Sequence, residues 1–257
     1  MRTYTYLIAL LAIGLGWSCQ RETLLIPSTP VQTGARIKLV HAAPEAASVD
    51  LYVNGQKISA GLPTGASSIS AGTGTPTAIT FGNTFPGSTA SYAVISSGQV
   101  PITLSSPAAT TAGSATTVAT QTLSLTDGNY YSLLVLGTGT QPQIKLIPDD
   151  FNTATDPALF YVRFINLIPN APAYDLALAS GAIITANVAY QSASPFVGVD
   201  LSNNASFVFR STGTTTSGGT GVTFTGSTAG RVITIIAQGV VGRTGTQAPR
   251  INVYVNR

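Results

Sequence analysis

The stretch HAAPEAASVDLYVNG, residues 41–55, carries the one histidine of the chain, His41, with Glu45 four residues on and Asp50 nine residues on. A histidine among carboxylates has the parts of a general base with its orienting acid, or of a metal site. Neither reading finds the partners it needs. A zinc site takes three or four His, Cys or carboxylate ligands, and the chain holds one His and one Cys, Cys19. A Ser-His-Asp hydrolase of the nucleophile-elbow kind needs G-x-S-x-G, and no such run occurs in the sequence. Asp149, Asp150 and Asp156, with Asn152, offer oxygens to calcium in mid-chain, but without the spacing and glycine of an EF-hand loop. The expectation is therefore a non-enzyme with no catalytic residue, no metal and no cofactor.

The elements that must position these residues occur twice. RIKLVHAAPEAASVDLYV (36–53) aligns without gaps to YVRFINLIPNAPAYDLAL (161–178), an offset of 125 throughout. In both, an alternating run leads to a proline, Pro44 or Pro169, and an aspartate six residues later, Asp50 or Asp175, opens a second strand. LTDGNYYSLLVLG (125–137) likewise pairs with GSTAGRVITIIAQG (226–239), and IKLIP (144–148) with INVYVNR (251–257). A period this long marks a duplicated domain rather than a solenoid. About seven or eight short strands per copy, with turns and no helix periodicity, predict an all-β chain of two tandem immunoglobulin-like antiparallel β-sandwich domains. They are expected at 36–148 and 159–257, with a polar, solvated linker at 149–158.

Within this frame the chemical-looking residues become structural. Asn166 aligns with His41, and both side chains can hydrogen-bond main-chain groups of a tight loop. Asp50 and Asp175 are expected to accept N–H groups of their own proline-containing loops. Asn54-Gly55 predicts a type I′ hairpin, which needs positive φ at both central residues. The Ser/Thr/Gly-rich stretches 105–120 and 211–221 read as solvated loops. The segment 61–89, longer than its counterpart in the second copy, is the place to look for domain-specific function.

The chain begins MRTYTYLIALLAIGLGWSCQRE, where Arg2 precedes an apolar run too short to span a bilayer. This predicts a signal peptide over 1–18. The LGWSC ending resembles the lipobox of bacterial lipoproteins, which implies lipidation of Cys19 and a membrane partner through that anchor, although Gly16 and Trp17 depart from the usual pattern. Residues 19–35 read as a flexible tether with a reach of about 20–25 Å. The expected location is the outer membrane or cell surface. Twelve Lys and Arg stand against nine Asp and Glu, and the basic residues are scattered. Nucleic-acid binding needs them clustered, so no nucleic-acid partner is expected.

The HAAPEAASVDLYVNG stretch, with SYAVISSG (91–98) and GNYYSLLVLG (128–137), resembles the bacterial domain of unknown function 4397 over about residues 36–255. The second copy departs from the pattern at Asn166. The resemblance implies a β-sandwich, often duplicated in exported proteins, and no enzymatic activity. The resulting expectation is a non-catalytic cell-envelope module for binding, structure or adhesion, with an envelope protein or glycan as partner. The alternative is a carbohydrate-binding accessory protein or surface hydrolase, which would need a carboxylate pair beside aromatic platforms such as Tyr52, Tyr92 or Tyr190.

Overall fold

ARIKLVH extends as strand β1 (Ala35–His41) because β-branched and apolar residues alternate on both of its faces, and almost every position in it is buried. The structure, a computed structural model, describes residues 33–59, 78–107, 115–200, 205–224 and 229–257. After β1 come β2 (Asp50–Val53), β3 (Gln56–Lys57), β4 (Thr84–Phe85), β5 (Ala93–Ile95), β6 (Gly98–Ser106), β7 (Thr116–Leu125), β8 (Tyr130–Leu136) and β9 (Gln143–Pro148). The second set is β10 (Phe160–Asn166), β11 (Tyr174–Leu178), β12 (Ile183–Val188), β13 (Val197–Val199), β14 (Ala205–Ser211), β15 (Val222–Phe224), β16 (Val232–Gln238) and β17 (Arg250–Val255).

Each set folds into two sheets facing each other. In the first, β4 and β5 flank β1, followed by β8 and β9, opposite a sheet ordered β3-β2-β6-β7. In the second, the order β13-β10-β16-β17 lies opposite β12-β11-β14-β15. The chain is thus two immunoglobulin-like β-sandwiches, as the sequence pattern predicts. One pair in each is parallel, β1 with β8 and β10 with β16, while all other strand pairs are antiparallel. The cause is visible in the first copy. The Gly128 N–H donates to the Gly34 carbonyl, and the Gly34 N–H donates to the Asp127 carboxylate. The turn before β8 is therefore fixed at the end where β1 begins, and the two strands run the same way.

Alternation along the central strands builds the three largest cores, and Ala154, Tyr161, Phe196 and Val232 form a smaller fourth. Ile37 and Leu39 of β1, with Leu133 and Val135 of β8, face into the first sandwich. Phe160, Val162 and Phe164 of β10, with Ile233 and Ile235 of β16, face into the second. The opposite faces of the same strands are also buried: Val40, Leu134, Leu136 and Ile147 meet Ile165, Leu167, Ile236 and Tyr254 in a third core. The two sandwiches therefore stack as four sheets, and Thr33–Arg257 forms one compact unit.

That third core contains charges. The fully buried Lys38 amine donates to the carbonyls of Gly87, Thr89 and Ser91 at 2.6–2.9 Å and lies 5.0 Å from the Tyr92 ring centre. Burial lowers its pKa to about 8, against the raising effect of Asp149. Arg163, from β10, pairs with Asp149 at 2.7 Å and lies 4.7 Å from the Phe196 ring centre. Its guanidinium also donates to the hydroxyls of Ser132, Thr234 and Tyr254 and to the Pro148 carbonyl. The Asp149 carboxylate accepts Ser132, Tyr92 and Asn256 in addition. The linker expected to be solvated thus begins with a buried carboxylate, drawn inward by a cation that would otherwise be unpaired.

Two further expectations are corrected in part. Both ends of stretch 105–120 are strand, since β6 continues to Ser106 and β7 starts at Thr116, with Thr103 paired to Thr120, while 108–114 lie outside the described residues. Threonine-rich sequence reads as loop by composition, but threonine is a good strand former and pairs well across strands. In stretch 211–221, Thr212 to Ser217 are exposed, as a solvated loop requires, but the glycines that follow are closely packed. A Cβ on Gly218 would sit 2.4 Å from the Phe209 ring, and one on Gly219 would sit 2.2 Å from the Pro249 carbonyl. Glycine is there because backbone and ring approach too closely for any side chain.

Removing Arg163 alone leaves Asp149 as an uncompensated buried charge, so Arg163→Ala should cost about 3–5 kcal/mol. The double variant Arg163→Met with Asp149→Leu should cost less than Arg163→Ala. Urea denaturation of the three chains measures both, and a double variant no more stable than the single one refutes the ion-pair account.

Candidate functional site

The duplicated strand-loop-strand is where reactive side chains gather. His41 ends β1, is fully buried, and its Nε2 lies 3.0 Å from the Ala47 carbonyl. Asn166 ends β10, is equally buried, and its Nδ2 donates to the Pro172 carbonyl at 3.4 Å and to the Val188 carbonyl at 3.0 Å. The Ala47 and Pro172 contacts both reach six residues onward, across the proline-bearing loop, so the two side chains hold the same loop in the same way. Their main chains are held alike too. His41 bonds to Gly82 and Asn83, and Asn166 to Gln191 and Ser192. Burial lowers the His41 pKa from 6.5, with the Ala47 carbonyl opposing. The ring is therefore neutral at physiological pH, donating from Nε2, and its buried Nδ1 has no hydrogen-bond partner.

The residues beside the prolines act as latches. Glu45, next to Pro44, accepts the Gly139 N–H at 2.9 Å. Asn170, next to Pro169, accepts the Val241 N–H at 3.0 Å. Each ties the first loop of its sandwich to the loop following the parallel strand. Glu45 also reaches across to Arg243 at 2.7 Å, and the Pro44 carbonyl accepts the Gln247 amide.

Asp50 and Asp175 both lie buried on the outer sheets, but their donors are not those of the proline loops. Asp50 pairs with Lys57 at 2.7 Å and accepts the Ser59 hydroxyl. Asp175 accepts the N–H of Asn187 at 2.7 Å, the Thr212 hydroxyl at 2.9 Å and the Gly213 N–H at 3.3 Å. Burial would raise the Asp175 pKa, yet these donors hold it below 3.8. The carboxylates point away from their own loops because alternation along β2 and β11 turns them toward neighbouring strands. Asn54 and Gly55 have φ of 51° and 78°, the conformation a type I′ turn requires.

Among the other candidates, Asp150 accepts the Asn152 N–H and Asp156 the Ala158 N–H, each in its own local turn. No group of three His, Cys, Asp or Glu side chains placed to hold a metal occurs among the described residues. The Tyr92 hydroxyl is spent on Asp149. Tyr52 lies on the sheet holding β3, and Tyr190 between β12 and β13, so these three rings form no common platform. Cys19 lies outside the described residues, as does 61–77 of the longer segment. The described part of that segment clasps the second sandwich: the Ser88 carbonyl accepts the Val255 N–H, the Gly82 carbonyl accepts the Asn252 amide, and Phe81 lies under Arg250.

Sequence reasoning missed the interface, though its signal was present. Lys38 and Arg163 occupy equivalent positions, 125 apart, and pair across the parallel strands with Ser132 and Thr234 respectively. The β5 and β13 registers make Tyr92 equivalent to Phe196, and those of β9 and β17 make Asp149 equivalent to Asn256. A cation over an aromatic ring, a hydroxyl and a polar residue after the last strand thus recur in both copies.

The geometry defines a protein of duplicated sandwiches whose histidine holds main chain and whose carboxylates are met by cations, hydroxyls and main-chain N–H groups. The model of the family described as Domain of unknown function (DUF4397) matches residues 35–177, more than half of the chain. The chain belongs to this family. The match covers the first sandwich and continues through β10 into β11. Among solved structures, the chain is similar to the family CBM26 module CBMbc from Eubacterium rectale Amy13K, solved in complex with maltoheptaose. That likeness has 13% identity and a TM-score of 0.25, over 85% of this chain and 96% of the other. None of the curated proteins matches the sequence.

With the folded pKa of His41 below 6.5, the unfolded chain takes up the proton first. Stability from this group is complete above that value and falls as the pH drops below it. His41→Asn, the residue of the second copy, should leave the melting temperature at pH 7.5 nearly unchanged and flatten its decline between about pH 6.5 and 5. A slope as steep as wild type would contradict the assignment. Asp175→Ala orphans its donors and should cost about 1–3 kcal/mol in the same melts.

Proposed function

We propose that the protein is a non-catalytic, lipid-anchored module of the cell envelope, held at the outer membrane or cell surface through Cys19 and serving in binding, structure or adhesion. The observation that carries this reading is the fusion of the two sandwiches by the Lys38 and Arg163 interface, which makes them one body instead of two jointed domains. Its reactive groups are committed to that construction: His41 to the Ala47 carbonyl, Asp149 to Arg163, Asp175 to three donors. General acid–base work needs a group that faces a substrate. A surface hydrolase would require carboxylates beside sugar-stacking rings, whereas Tyr92 and Asp149 bond to each other inside the interface.

Cys19→Ala should move the protein from the membrane pellet to the soluble fraction, since two or three acyl chains, at about 0.8 kcal/mol per buried methylene, anchor a protein durably. Retention of the variant in the pellet after a carbonate wash overturns the anchor.

A further inference from the structure

Exposed sheet edges invite pairing with other chains, and proteins normally shorten, charge, bulge or cover them. The described edge strands of this protein follow that rule, with one exception. β3, β4, β5, β13 and β15 are two or three residues long. β9 carries Lys145 and Pro148. β12 has register shifts against β11 and a positive φ at Asn187. β17 is covered, its Ile251 and Val255 N–H groups donating to the carbonyls of Thr220 and Ser88.

β7 is the exception. It is ten residues long, TTVATQTLSL, with no charge, proline or glycine. A bulge at Val118, where the partner of β6 passes from Ala119 to Thr117, leaves 119–125 regular, and among the described residues this edge hydrogen-bonds to no strand besides β6, with β9 of the facing sheet beside it. Leu123 and Leu125 point into the core, while Thr120, Thr122 and Ser124 are exposed on the outer face.

We propose that residues 119–125 of β7 pair antiparallel with the same residues of a second copy of this chain, about a two-fold axis at Thr122. The register sets Thr122 opposite its own equivalent and Thr120 opposite Ser124 on the outer face, hydroxyl against hydroxyl. On the inner face it sets Ala119 opposite Leu125 and Gln121 opposite Leu123. Charge selects this edge for self-pairing. An uncharged strand opposes no like charges to itself, whereas self-pairing of β9 or β17 would bring Lys145 or Arg250 toward its own copy. The result is one continuous sheet, β3-β2-β6-β7 running into its copy. The Gly34 contacts to Asp127 and Gly128 fix the start of the sandwich, where the tether joins it, at the Leu125 end of β7. Antiparallel pairing therefore places the two Gly34 residues at opposite ends of the pair.

The full-length chain with Cys19→Ser has no thiol, so a single introduced cysteine reports on one site. Facing Cβ atoms in an antiparallel pair lie about 4.5–5.5 Å apart. Thr122→Cys in that background should therefore cross-link to itself, at least about tenfold faster than Thr103→Cys on the same face of β6. In sedimentation equilibrium the Cys19→Ser protein should be a concentration-dependent dimer. Both Gln121→Lys, an inward charge on the edge, and Thr122→Lys, which opposes two lysines at the axis, should make it a monomer with its circular dichroism unchanged. A monomer at every concentration, equal cross-linking at Thr122 and Thr103, a dimer that survives both lysines, or a different protein's strand found at β7 overturns the proposal. None of these outcomes depends on the anchor at Cys19.

Discussion

Burying the Arg163 guanidinium between two sheets is the constraint from which the rest of the architecture follows. An arginine can be sealed from water only if its charge and its donors are all met. Here that requires Asp149, so the chain leaving β9 must turn inward instead of running free. It requires the hydroxyls of Ser132, Thr234 and Tyr254, so β8, β16 and β17 must lie within one side-chain length of each other. Once these are in place, the apolar residues beside them have no water to face. Val40, Leu134, Ile165 and Ile236 close into a core because the polar cluster has already set the spacing.

The same problem is solved twice by different means. Lys38 stands in β1 where Arg163 stands in β10, and each cation lies over an aromatic ring, Tyr92 or Phe196. Arginine, with its planar fork of donors, takes a carboxylate and several hydroxyls together. Lysine, a compact point charge, is met by the carbonyls of Gly87 and Thr89, from the segment longer in the first copy, and by that of Ser91 just after it. That segment therefore has a physical reason to be asymmetric: the carboxylate is already committed to Arg163, and the second cation needs another source of oxygens. Duplicated faces that pack against each other cannot both keep the same counter-ion in one shared space.

How much of this was legible follows from what periodicity encodes. The offset of 125 residues aligns β1 with β10, and the parallel partner of each keeps the same register although its own offset is 102: Arg36 lies opposite Tyr130, and Tyr161 lies opposite Val232. The hairpin at Asn54-Gly55 was readable because only certain residues tolerate its backbone. The third core was not readable, because a lysine on an alternating strand has the pattern of a solvent-facing position, and alternation cannot say whether the polar face meets water or another sheet. The first half of β7 was hidden for a related reason, since threonine-rich strand and threonine-rich loop have the same composition. Alignment with Asn166 marks His41 as a loop-holding residue, but the contact to Ala47 became specific only with coordinates.

What the fused interface provides is orientation. Where two sandwiches meet end to end through a linker, relative motion is the default. Here sheets meet face to face, and the contact continues at the loop end through Glu45 to Arg243 and Gln247 to Pro44. The loops of both copies at the end away from Gly34 are thereby held in one fixed arrangement, and so are the two outer sheets. A ligand or partner spanning both copies would meet a preorganised surface and would not have to order a hinge on binding. The duplication therefore does more than double a domain: it holds the loop ends of two sandwiches in one rigid arrangement whose geometry is set by buried charges far from solvent.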